Sequence, residues 1–178
     1  RYSLLNQPRA AYFNCQVLAQ CLTSIIGAQS AAQALASFWP SFAKRFYQLM
    51  SDKLGLGDSL TGDARLIDAF LILLERYNLN YPKTFLTLTQ NFDNQTSISE
   101  LLGLPCSEPW IQQYHRRITK SGHTPHQRLS SMLKANPKTT LRAGIIDTVF
   151  EDLSAGFTNS LTQLCSDLQY PFSASKHR

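Results

Sequence analysis

Prolines at the heads of apolar stripes constrain this chain more than any other feature. Pro8, Pro82, Pro109 and Pro125 each precede apolar residues that recur at three- and four-residue steps. Proline lacks an amide hydrogen that the first helical turn leaves unpaired anyway, and its fixed φ suits that turn, so prolines in this setting start helices. After Pro8 the stripe is Ala11, Cys15, Leu18, Leu22 and Ile25; after Pro109 it is Trp110, Tyr114 and Ile118. Such spacing gives a helix one apolar face. No run alternates apolar and polar residues as a half-buried strand would, and no Asn-Gly pair marks a hairpin. The expected fold class is all-α, an irregular multi-helix bundle.

Other signals divide the chain further. A helical pattern over about 31–54 aligns Phe38, Phe42 and Phe46 on a face expected to be core, and Pro40 within it predicts a kink or a split. Gly27 and Gly156 read as helix stops, and Gly55, Gly57 and Gly62 as a loop. Asp63 is expected to cap a helix carrying Leu66, Phe70 and Leu73. Ser97 with Glu100, and Thr124 with Gln127, have the spacing of capping boxes. Two more helices are expected, over 141–153 and 161–168. Residues 1–172 read as a single helical domain and 173–178 as a frayed tail. Residues 91–97 and 119–126 read as the weakest-ordered loops. No fixed-period repeat is present. No apolar run reaches the roughly 18 residues that crossing a membrane requires.

The charge is unevenly placed. The net charge is +5, yet no Asp or Glu occurs from residue 109 to residue 146. That stretch holds Arg116, Arg117, Lys120, Arg128, Lys134, Lys138 and Arg142, a candidate basic interaction face for nucleic acid, acidic lipid or acidic protein. Trp110 and Tyr114 beside these arginines could form a stacking platform for single-stranded nucleic acid. The preferred reading packs both rings into the core.

No catalytic constellation is visible. Gly55-Leu56-Gly57 lacks a third glycine and a preceding strand, and no nucleophile-elbow, zinc-protease or kinase motif is present. Cys15, Cys21, Cys106 and Cys165 have irregular spacing and read as small buried apolar residues of a reducing compartment rather than disulfides or zinc ligands. His115, His123 and His126 lie close in sequence without an acidic neighbour and read as solvated rather than metal-binding. The Asn94 glycosylation sequon reads as coincidence. No catalytic, cofactor-binding or metal-binding residue is expected in the chain itself.

Several short words nevertheless keep a recognisable order: Arg1-Tyr2 with Asn6-Gln7-Pro8 and Asn14, Lys53-Leu54-Gly55, Tyr81 with Thr84-Phe85, and Trp110 with Tyr114, Arg116 and Arg117. Met132, Asn136-Pro137, Leu141-Arg142 and Pro171-Phe172 continue the series. Together they resemble the C-terminal part of the selenoprotein O (SelO) family of protein adenylyltransferases. Departures are Phe13 where Trp is usual, Cys15 where Leu is usual, and Ala143 where Asn is usual.

The resemblance implies a parent enzyme with a kinase-like (pseudokinase) fold that moves AMP from ATP to Ser, Thr or Tyr hydroxyls of proteins, using magnesium. It also implies that the nucleotide-binding lobe and magnesium ligands lie upstream of Arg1, and that the family's terminal cysteine or selenocysteine motif lies beyond Arg178 or is missing. This chain would then be the helical C-lobe and C-terminal extension. Arg1, Tyr2, Asn6, Gln7 and Asn14 would contact the rest of the enzyme, and the 1–22 segment would present a large apolar face to it. The expected partners are the kinase-like portion of the same protein and the parent's protein substrates, not nucleic acid or membrane. The location would be cytoplasmic in a bacterium and mitochondrial in a eukaryote. The rival reading is a stand-alone helical interaction module that binds nucleic acid or acidic proteins through residues 109–146.

Overall fold

The computed structural model describes residues 6–105 and 108–172, leaving aside the side chains of 95–97. The described residues form ten helices and no strand, the all-α class expected from the stripes. The fold divides into two compact units, Arg1–Gln48 and Leu49–Arg178.

The first unit holds α1 (Gln7–Ile26), α2 (Ala28–Ala36) and the start of α3 (Phe38–Leu54). Pro8 lies in the first turn of α1, and Gly27 ends that helix with φ +81°. Pro40 falls in the first turn of α3, after a break at Ser37, so the expected 31–54 pattern is split. There the missing amide costs nothing. Phe38, Phe42 and Phe46 stack in a row, with centroids 6.3 and 5.7 Å apart. They remain half-buried rather than core as expected. No residue of α1 is fully buried, and Phe13 and Ile25 are 63% and 77% exposed. The buried cysteines expected here are corrected too: Cys15 is half-buried, while Cys21 and, in the second unit, Cys165 are exposed. A stripe defines which face is apolar, but burial needs a partner for that face. Cys106 lies outside the described residues.

The second unit contains the end of α3 and α4 (Asp63–Arg76), α5 (Tyr81–Asn91), α6 (Gln95–Leu102), α7 (Pro109–Thr119), α8 (Pro125–Ala135), α9 (Ala143–Ser154) and α10 (Asn159–Gln169). Local chemistry starts most of these. Asn80 caps α5 through Lys83 N, Glu108 caps α7 through Trp110 N, and Thr124 with Gln127 forms the expected capping box on α8. Ser97, expected at a cap, instead lies inside α6. Asp63 is the first residue of α4, behind a left-handed Gly62.

The core is a chain of rings: Tyr81 meets Phe85, Phe85 meets Phe70, Phe70 meets Trp110, and Trp110 stacks on Tyr114 at 5.0 Å. Ile67, Leu88, Ile98, Ile111 and Met132 are fully buried around it. Trp110 also donates from Nε1 to the Leu66 carbonyl at 2.9 Å. Both rings are therefore core, as preferred above, and neither can stack on a nucleic-acid base. α9 packs on α10, and Val149, still 8% exposed, is the only buried residue of that pair among the described residues. No described helix is long and apolar enough to cross a membrane.

Candidate functional site: the buried end of α3

A helix leaves its last carbonyls without partners, and burying them unpaired is costly. α3 ends at Lys53-Leu54-Gly55, with Leu54 and Leu56 fully buried and Gly55 left-handed at φ +64°. Three successive carbonyls there are met by side chains from distant segments. Asn136 Nδ2 donates to Lys53 O at 2.8 Å, Tyr114 Oη to Leu54 O at 2.9 Å, and Arg128 Nη1 to Gly55 O at 2.8 Å.

Each donor is itself held. Asn136 donates also to Thr89 Oγ1 at 2.9 Å and accepts from Lys53 Nζ at 3.2 Å. The Lys53 ammonium sits 4.7 Å from the Phe85 ring centroid, and burial lowers its pKa. Arg128 Nη2 donates to Ile118 O and Ser121 Oγ, both at 2.7 Å. One guanidinium thus serves the negative ends of α3 and α7 together. Burial pushes the Arg128 pKa down and the Tyr114 pKa up.

A second joint lies on the neighbouring loop. Arg117 binds both carboxylate oxygens of Asp63, with Nη2 to Oδ2 at 2.9 Å, and donates to the Asp58 carbonyl. Burial alone would raise the Asp63 pKa. Hydrogen bonds from Arg117 and the Leu60 amide, with the Arg117 charge, outweigh it and hold the carboxyl below its usual value.

Gly55 and Gly57 have no spare room. A Cβ on Gly55 would lie 2.6 Å from Met132 Sδ, and one on Gly57 would lie 2.7 Å from His123 Nδ1. His123 Nε2 faces Asp58 Oδ1 at 3.7 Å. Among the described residues no three of His, Cys, Asp or Glu come together to hold a metal.

The candidate basic face is corrected accordingly. Arg117 and Arg128 do not belong to it: they are drawn inward by a carboxylate and by unpaired carbonyls, and Arg128 is only 4% exposed. Arg116, Lys120, Lys134, Lys138 and Arg142 are exposed. Of the candidate contact residues, Asn6, Gln7 and Asn14 are exposed at or on α1, while Arg1 and Tyr2 lie outside the described residues. Sequence reasoning missed Asp58, Asp63 and Thr89 as partners. The signal that could have pointed here is Gly55, which marks a buried helix end in need of donors.

The words that carried the resemblance therefore meet in space: Lys53-Leu54-Gly55, Tyr114, Met132 and Asn136 all surround one helix end. Comparison with known proteins agrees. The family model described as "Protein adenylyltransferase SelO" matches residues 1–169. A protein nucleotidyltransferase YdiU of Vibrio vulnificus is 32% identical over 97% of this chain and 37% of its own length. One from Klebsiella pneumoniae is 30% identical over 97% of this chain and 36% of its own length, and one from Hydrogenovibrio crunogenus is 27% identical over the same shares. The chain thus spans little more than a third of these curated relatives. With the family model covering nearly all of it, this chain belongs to the SelO family of protein adenylyltransferases.

Proposed function

We propose that this chain is the helical C-terminal support of a SelO-type enzyme that transfers AMP from ATP, with magnesium, to Ser, Thr or Tyr hydroxyls of proteins. The observation that carries this reading is how the polar groups around α3 are used. Asn136, Tyr114, Arg128, Arg117 and Asp63 are all engaged in closing helix ends and loops. Such a network holds a scaffold rigid, which is what a catalytic constellation on neighbouring chain needs behind it.

On this reading ATP and magnesium are held by the rest of the parent enzyme. Phosphates need a loop whose backbone they can approach, and here Met132 and His123 already lie against Gly55 and Gly57. No step of the transfer is assigned to this chain. The lysine, glycine-rich loop and metal ligands belong in the remainder of the parent, which would also cover the exposed apolar residues of α1, such as Phe13 and Ile25. The same reading expects a cytoplasmic parent enzyme in a bacterium and a mitochondrial one in a eukaryote.

The test is thermal melting of this chain with and without ATP and magnesium. A ligand of the folded state at a hundredfold excess over its dissociation constant adds about 2.7 kcal/mol of stability. An unchanged midpoint supports the scaffold role. A magnesium-dependent rise overturns it, because the chain would then hold a phosphate site of its own.

A further inference from the structure

α7 has two faces. Trp110, Ile111, Tyr114 and Ile118 are buried. On the other side Gln112, His115, Arg116, Thr119 and Lys120 line a shallow depression of about 610 Å³. A second depression of about 300 Å³ shares His115 and Thr119 and runs on past Ser121 and His123. We propose that this outward face of α7 is a docking face for an acidic segment of a protein.

Two observations carry it. Arg116 and Lys120 are exposed, and neither makes an ion pair or a side-chain hydrogen bond among the described residues. No Asp or Glu occurs on α7, on α8 or between them, so Arg116 and Lys120 have no acidic neighbour on their own helix or the next. Two exposed carboxylates border the second depression: Asp93 lines it, and Asp58 lies 3.7 Å from His123. Carboxylates of a docked segment would pair with Arg116, through its bidentate fork, and with Lys120.

The occupant is protein rather than nucleic acid for two reasons. The aromatic rings that could stack on bases are in the core. Two unpaired cations also give only a weak phosphate grip, since each neutralised phosphate contributes a salt slope of roughly −0.9. The inference does not depend on the proposed scaffold role, because it concerns a surface that network leaves free.

Fluorescence anisotropy of a short fluorescein-labelled Glu/Ser peptide, titrated with this chain, tests it. The expected result is saturable binding that weakens as salt is raised. The double variant Arg116→Gln/Lys120→Gln should weaken it about tenfold, the equivalent of about 1.4 kcal/mol. The variant Lys44→Gln/Arg45→Gln removes the same charge from exposed positions on α3 and should bind as the unmodified chain does. Both double variants should melt as the parent chain does, since the residues replaced are exposed. Absence of peptide binding overturns the proposal, and so does an equal loss in the α3 variant, which would mean attraction by net charge alone. Tighter retention of a single-stranded oligonucleotide, lost in the α7 variant, would reassign the face to nucleic acid.

Discussion

The hydroxyl of Tyr114 donates to the carbonyl oxygen of Leu54 at 2.9 Å, tying α7 to the last turn of α3 across 60 positions of chain. Both residues are fully buried, so water cannot replace this bond. Tyr114→Phe keeps the ring stack on Trp110 and leaves the carbonyl unpaired. The expected loss is about 1–2 kcal/mol in chemical denaturation, with an unchanged helical spectrum. A neutral result would mean that Leu54 O is already satisfied without the tyrosine.

Arg128 should be the costliest polar position. Its guanidinium bonds Gly55 O, Ile118 O and Ser121 Oγ, so Arg128→Met strands two helix-end carbonyls at once. The expected loss is about 4 kcal/mol. Arg128→Lys keeps the charge but not the fork, and one ammonium cannot span both ends. Its loss should be smaller, about 2 kcal/mol, and the order of the two midpoints in urea checks the argument.

Two glycines should respond oppositely to alanine. At Gly55 the left-handed backbone and the closeness of Met132 both oppose a methyl group, and Gly55→Ala should cost about 3 kcal/mol. Gly144 lies inside α9 with open space where a Cβ would go. Gly144→Ala should gain about 0.5 kcal/mol from helix propensity. Melting temperatures of the two variants on either side of the parent chain are the readout.

The Asp63–Arg117 pair predicts a sensitivity to acid. Because the folded carboxyl titrates below the ordinary value of 3.8, the unfolded chain binds the proton more readily. The pair's contribution is therefore complete above that value and is lost as pH falls through the folded pKa. Asp63→Asn should be less stable by about 3 kcal/mol at neutral pH, since it leaves the Arg117 charge partly buried without its counter-ion. It should also lose less of its remaining stability on acidification. Parallel acid titration curves for the two proteins would count against this linkage.

Local signals decided the elements. Pro8, Pro82, Pro109 and Pro125 start helices because a ring that supplies no amide fits a first turn wherever that turn lies, and the Thr124–Gln127 capping box closes within its own four residues. The family words were legible as well, because they are words of sequence. Which polar groups are spent inside the fold was decided by tertiary structure alone. Nothing near Arg128 in sequence announces the Gly55 carbonyl 73 positions away, nor does anything near Arg117 announce Asp63, so both read as solvated charges. Phe38, Phe42 and Phe46 read as core because their spacing is helical and apolar, yet they stay half-buried. Periodicity records which face of a helix is apolar. Whether that face is covered, and which buried carbonyl a guanidinium reaches, depends on where distant segments come to rest.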